Sequence, residues 1–377
     1  MAMKTYYPTL LSLIFVLYAV HTHAQKIENL PVMKQQSQNE LFHRLDKAPR
    51  TPAFECEGYW SWGSSVVKGE DGKYHMFVSR FPKSLPFHPG WMIAGEIVHA
   101  VSERPEGPYR FHDVALGPRG AQYWDGCSTY NPQIRKHKGR FYLFYGGTRH
   151  PYMQPSDKEL TLQSKWCISS RFNKRIGIAV ADSPYGPWQR PDKPSLDVEP
   201  NTFYSYLASN PAPEILSNGH VYMIFKGRAH TGEGKYSKMH LGVAYAESPD
   251  SPLKVLNEKK PVFVQGEAED PFLWKEGSYF YATFKDHRGE YTGEQGGGVL
   301  ARSKDCIQWE VCHPAKAYSK TIRWADGRTT EMGNMERPFI LFINGMPAYM
   351  FFATMNGTHT GFDGQEARNI VIPLSVD

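Results

Sequence analysis

Five segments of this 377-residue chain repeat one pattern: a short polar opening, an apolar strand, a glycine turn and an aromatic strand. They are GSSVVKGEDGKYHMFVSR from Gly63, NPQIRKHKGRFYLFYGG from Asn131, NPAPEILSNGHVYMIFKG from Asn210, DPFLWKEGSYFYATFKD from Asp270 and RPFILFINGMPAYMFFAT from Arg337. Four are followed by a further strand and turn, IVHAVSERPEGPYRF, IGIAVADSPYGPWQR, LGVAYAESPDSPLKV and GVLARSKDCIQWEV, and RNIVIPLSVD closes the series. Repeat starts roughly 60 to 80 residues apart suit four strands with decorated loops, stacked on copies of themselves. The pattern predicts an all-β chain folded as a five-bladed β-propeller.

Each apolar run covers about four to eight residues, is rich in Tyr, Phe, Val and Ile, and is bounded by Gly, Pro, Asn or Asp, which marks strands. Gly72, Gly139, Gly219, Gly277 and Gly345 fall where a hairpin must turn, beside residues such as Asp71 and Asn218 that tolerate turn geometry. The best helical stretch, MKQQSQNELFHRLDK from Met33, precedes the first blade. A hydrophobic fraction of 41% with 28 prolines supplies both a core and dense turns, and no linker divides the chain. The expected organisation is a signal peptide over 1–24, a partly helical N-terminal segment over 25–54, and a catalytic propeller over 55–377. A formal net charge of +5 is small for this length and points to neither a nucleic-acid nor an anionic-membrane partner.

The leader MAMKTYYPTLLSLIFVLYAVHTHAQ carries Lys4, an apolar stretch from Leu10 to Val20, and a small-residue cleavage site at Thr22-His23-Ala24. It predicts an exported chain, periplasmic or extracellular, without membrane insertion. Cys56, Cys127, Cys167, Cys306 and Cys312 lack metal-type spacing. Cys306 and Cys312, across one hairpin, are the nearest candidates for a disulfide, but buried free thiols are the favoured reading. Oligomeric state is open, since the N-terminal segment could pack on its own propeller or on a neighbour's.

A propeller's innermost strands open into one shared cavity at the axis. Read in register, those openings are Gly63-Ser64, Tyr130-Asn131, Ser209-Asn210, Glu269-Asp270 and Glu336-Arg337. Two carboxyl groups from different blades facing one cavity are what acid and base work on a glycoside requires.

The Asn/Asp-Pro openings, the hairpins DGKYHMFVSR and GRFYLFYGG, the turn AVADSPYGPWQR and the fifth-blade ERPFILF resemble the five-bladed propeller glycoside hydrolases of families 43, 32, 62, 117 and 130. The resemblance runs from about Glu55 to the C-terminus. It implies an inverting, carboxylate-based hydrolase acting on a plant, algal or host oligosaccharide or polysaccharide, probing chain ends, with no required cofactor. The chain departs from that pattern at Gly63-Ser64, where an Asp is usual, and at Asn210, where Asp is common. The base has therefore moved, the mechanism differs, or the chain binds glycans without cutting them; a glycoside phosphorylase or a protein-interaction propeller are the other readings.

Asp125 in YWDGCSTYNP is the candidate relocated base, although Asp-Gly also reads as a turn; Glu57 and Glu96 are further candidates. Glu336 is the leading catalytic candidate, beside the cation Arg337, which favours an ionised carboxylate suited to a base or nucleophile. Asp270 is the next, and also reads as a cap of the Asp-Pro opening. Glu269, Arg337, Asn131 and Asn210 are expected to hold the sugar, with Trp62 and Trp124 as stacking platforms. Arg149, His150, Arg228 and His230, following second strands, are expected away from the channel mouth. GEQGGGV from Gly293 reads as a flexible loop, not a phosphate-binding loop, and no catalytic metal motif is present. A structural Ca²⁺ in the channel is compatible with the polar oxygens that line propeller axes.

Overall fold

The structure, a computed structural model, describes residues 41–232, 235–358 and 361–375. The expected signal peptide and most of the predicted helical stretch from Met33 lie outside the described residues; of that stretch the four-residue helix α1 (Leu41–Arg44) is described. No helix among the described residues is long and apolar enough to cross a membrane.

The first blade is an antiparallel sheet of β1 (Tyr59–Lys68), β2 (Tyr74–Pro82), β3 (Glu96–Ser102) and β4 (Arg110–Leu116), with helix α2 (Phe87–Ala94) between β2 and β3. The second holds β5 (Ser128–His137), β6 (Arg140–Thr148) and β7 (Arg175–Ala181), with helix α3 (Lys165–Phe172) between the last two. The third begins with β8 (Leu207–Ile215) and β9 (Val221–Arg228). A ribbon, β10 (His230–Gly232) and β11 (Lys235–Tyr236), intervenes before the third blade ends with β12 (His240–Ala246) and β13 (Lys254–Val255). The fourth is β14 (Ala268–Glu276), β15 (Tyr279–Asp286), β16 (Gly298–Ser303) and β17 (Trp309–Tyr318). After a second ribbon, β18 (Thr321–Arg323) and β19 (Thr329–Glu331), the fifth is β20 (Asn334–Ile343), β21 (Met346–Met355) and β22 (Ala367–Pro373). The fold is the expected five-bladed β-propeller.

Two blades depart from the four-strand expectation. The second gains only single bridges, from Gln189 to Val180 and from Leu196 to Ile176. The fifth is completed by the N-terminal segment of its own chain: the Ala53 N–H donates to Asn369 O at 2.8 Å, the Asn369 N–H donates to Phe54 O at 3.0 Å, and Leu45 bridges Leu374. The five predicted hairpin glycines all adopt positive φ, from +54° to +96°, a conformation without steric cost only for glycine. All five cysteines are free.

The innermost strands β1, β5, β8, β14 and β20 pack one on the next around the axis. Each carries an irregularity at the same place, between Trp62 and Ser64, Tyr130 and Gln133, Ser209 and Ala212, Glu269 and Phe272, and Glu336 and Phe339. At all five, the residue in the kink is left-handed: Gly63, Asn131, Asn210, Asp270 and Arg337 have φ between +39° and +56°. Such bulges re-aim side chains. The repetition turns five strand openings toward the axis.

Candidate active site

A cavity of about 570 Å³ opens over the strand starts. Four of the five residues just before the bulge line it: Trp62, Tyr130, Glu269 and Glu336. The left-handed residues themselves meet behind it, around a space of only about 10 Å³. There Asn131 Nδ2 donates to Asn210 Oδ1 at 2.9 Å, Asn210 Nδ2 donates to Asp270 Oδ1 at 2.8 Å, and Arg337 donates to the same Asp270 oxygen. Gly63 leaves the room: a Cβ there would lie 3.2 Å from Arg337 Cγ. The missing first-blade side chain is replaced by the arginine of the fifth blade.

This arrangement corrects several expectations. Asp270 and Asn210 belong to the axial ring and not to the open cavity, because the bulge turns them inward. Burial, with Glu269 and Glu336 close by, pushes the Asp270 carboxyl up to about 7 against the pull of Arg337. The ring does not suit a calcium ion, since the Arg337 guanidinium already places a fixed cation against Asp270. Asn131 and Arg337 border both spaces.

Asp125 is fully buried away from the cavity, accepting from Arg119 Nε at 2.7 Å, Arg190 Nη2 at 2.6 Å and the Tyr145 hydroxyl at 2.7 Å. All its capacity is spent on holding the loop to blade two. Trp124 is buried beside it, stacked on Tyr145 with its indole N–H donating to Pro191 O at 3.1 Å, so it is no sugar platform. Glu96 is occupied by Arg80 at 2.8 Å, and Glu57 is exposed outside the cavity. Trp62 does line the cavity, with Phe87 at 4.8 Å and Phe362 at 5.8 Å between ring centres, and Trp91 joins the wall.

The carboxylates that do face the cavity are Glu269 and Glu336, and lysines hold both. Lys285 is ion-paired with Glu336 and its Nζ lies 3.9 Å from Glu269 Oε2; Lys226 is ion-paired with Glu269. Asn334 Nδ2 donates to Glu336 Oε1 at 3.2 Å. Burial alone would raise the Glu269 carboxyl, but Lys226, Lys285, Arg337 and His287 drive it well below the usual range. Burial opposes the charge on Lys285, yet its carboxylate neighbours raise it above the ordinary lysine value. His287 borders the same space, with its Nδ1 4.0 Å from Glu269 Oε2 and without a hydrogen-bond partner.

Sequence reading missed Lys226, Lys285 and His287, yet a signal existed. In register, Lys226 faces Ser209 and Lys285 faces Glu269, each directly opposite the residue before the bulge. The strand ends IFKG and TFKD put lysine at the same place in two repeats. Arg228 also lines the cavity, contrary to expectation, because β9 continues to the mouth, whereas Arg149, His150 and His230 do not line it. Gln295 and Gly296 of the glycine-rich loop line it too.

No protein-family model matches the chain, and no curated protein matches it. Solved structures do. Zg3597, a family 117 glycoside hydrolase from the marine bacterium Zobellia galactanivorans, is 18% identical with a TM-score of 0.60, over 89% of this chain and 91% of that one. BT0996, solved as an RGII complex, is 12% identical with a TM-score of 0.63, over 89% and 93%. CoXyl43, a family 43 β-xylosidase/α-arabinofuranosidase from a compost metagenome, solved with xylotriose, is 15% identical with a TM-score of 0.55, over 88% and 96%. At these identities the likeness shows the shared five-bladed propeller.

Proposed function

We propose that the protein is a glycoside hydrolase that cuts an anionic oligosaccharide or polysaccharide from a chain end. The observation that carries this is the pair Glu269 and Glu336, from adjacent blades, bridged by Lys285 in an aromatic-walled cavity. The structural neighbours that act on glycans support the same class. The axial ring behind the two carboxylates favours a blind pocket, which accepts an end and not the middle of a chain.

In the proposed reaction Glu336, held in place by its ion pair with Lys285, takes a proton from the attacking water, and His287, beside the Glu269 carboxylate, gives one to the leaving oxygen. Glu269 orients and electrostatically supports His287. Trp62 and Trp91 stack on sugar C–H faces.

The charge on the substrate follows from the lining. Seven basic side chains, Arg171, Lys174, Lys226, Arg228, Lys285, Lys320 and Arg337, border the cavity against the two glutamates. Lys174 is 5% exposed, its Nζ stands 4.2 Å from the centre of the Trp91 ring, and no carboxylate among the described residues is seen paired with it. Burial, then Lys226 and Arg171, hold it well below the ordinary lysine value. That environment favours the neutral amine, and an anionic ligand such as a uronate carboxylate or sulfate ester would offset the burial and favour its charged form. The same lining favours a second reading, in which inorganic phosphate is the attacking group.

The test is product release from neutral, uronate-bearing and sulfated oligosaccharides by wild type, Glu336→Gln and His287→Gln, with and without phosphate. Hydrolysis confined to anionic substrates, and lowered about 10²–10⁴-fold in each variant, supports the reading. Phosphate-dependent release of a sugar phosphate would replace it with phosphorolysis; binding without release in any protein would leave a glycan-binding propeller.

A further inference from the structure

Where the first blade packs against the second, away from the cavity lining, histidines and carboxylates form a chain whose hydrogen bonds do not close. His75 Nε2 lies 3.0 Å from Asp71 Oδ1, and His75 Nδ1 lies 2.9 Å from His99 Nε2. A carboxylate only accepts, so the proton of a neutral His75 sits on Nε2 and its Nδ1 is the acceptor. His99 must then donate from Nε2, which leaves a lone pair on His99 Nδ1. That atom is buried without a hydrogen-bond partner, and 3.4 Å away it faces Asp113 Oδ1, another acceptor. Two acceptors pointed at each other are satisfied by a cation or by a shared donor between or beside them.

The backbone supplies a third group. Asp113 on β4 is directly opposite His99 on β3, but the next pair is Ala100 with Phe111, so His112 is the extra residue of a bulge. In regular alternation His112 would point to the opposite face from Asp113; the bulge re-aims it. One ligand atom each from His99, His112 and Asp113 come within 4.8 Å of one another. Tyr185, from the neighbouring blade, caps the group: its ring stands 5.0 to 5.2 Å from those of His75, His99 and His112, and its hydroxyl donates to Asp71 Oδ2 at 2.8 Å.

We propose that His99 Nδ1, His112 and Asp113 bind a divalent transition metal of the zinc type, with a solvent molecule completing the shell. Two imidazoles and one carboxylate form a borderline donor set that suits Zn²⁺ and its neighbours over Ca²⁺ or Mg²⁺. The Asp71–His75 relay behind His99 is the second shell such a site uses to fix tautomer and ring orientation. The alternative cation is a proton on His75, giving an imidazolium that donates to both Asp71 and His99, and titration with metal separates the two. The site ties β3 and β4 together at the seam with the second blade, far from the proposed chemistry.

The experiment uses tag-free mature protein, dialysed against chelator and titrated calorimetrically with ZnCl₂, with Ca²⁺ and Mg²⁺ as controls, followed by metal analysis after gel filtration. The expected result is one Zn²⁺ per chain with micromolar or tighter affinity, a raised melting temperature, and no response to Ca²⁺ or Mg²⁺. His112→Ala and Asp113→Asn, both on the half-exposed rim, should keep the metal-free melting temperature and each weaken Zn²⁺ binding at least tenfold. Absence of stoichiometric Zn²⁺, or binding unchanged in both variants, overturns the proposal. Because the readout is binding, it stands or falls independently of glycosidase activity.

Discussion

Replacing Lys285 by methionine removes the cation shared by the two cavity glutamates while keeping most of its stem. Glu336 is 2% exposed and its described partners are Lys285 and Asn334, so the variant strands a buried carboxylate; Glu269 retains Lys226. Breaking one side of a buried ion pair costs about 3–5 kcal/mol. Unfolding entropy near ~2.1 cal/mol/K per residue, over a propeller of roughly 320 residues, gives about 0.7 kcal/mol/K, so the melting temperature should fall about 4–7 °C at pH 7.5. Differential scanning calorimetry of both proteins measures it. A loss below about 1 °C would refute the view that Lys285 compensates a buried charge at Glu336.

Three further outcomes are expected. Asp125→Ala leaves Arg190 without its carboxylate and Arg119 with only the exposed Asp192, and should cost about 3–5 kcal/mol in denaturant unfolding, with kcat of the folded protein unchanged; a selective loss of kcat would return Asp125 to catalysis. Gly63→Ala meets a left-handed φ of +39° and Arg337 Cγ at 3.2 Å, so it should lower stability by about 1–2 kcal/mol, read as a melting shift of about 1–3 °C. The Glu269 carboxyl is depressed in the fold, so its ion pairs stabilise fully above the ordinary carboxyl value near ~4.3 and are lost as pH falls below it. Urea midpoints of the wild type should therefore drop through that acid range with a steepness that Glu269→Gln lacks.

The architecture was legible because strand and turn chemistry repeat: five hairpin glycines occupy the positive-φ turns that the repeat demanded. The location of Glu269 and Glu336 followed from register alone. What the sequence hid was the bulge. It divides adjacent residues between two spaces, so Glu269 enters the cavity while Asp270 is bound into the axial ring, and alternation alone cannot say which goes where. Asp125 misled for a different reason. Its partners Arg119, Tyr145 and Arg190 are scattered up to 65 residues along the chain, and only folding brings their four hydrogen bonds to one carboxylate.

The latch formed by Ala53 and Phe54 on Asn369 joins the earliest-made part of the propeller to its last strand. A chain emerging from the ribosome therefore carries four blades whose ring cannot shut, with Asp270 waiting for Arg337 and Lys285 waiting for Glu336. The charge arrangement at the centre is in this sense a late product of synthesis: the last blade must be made before either the ring or its ion pairs can close.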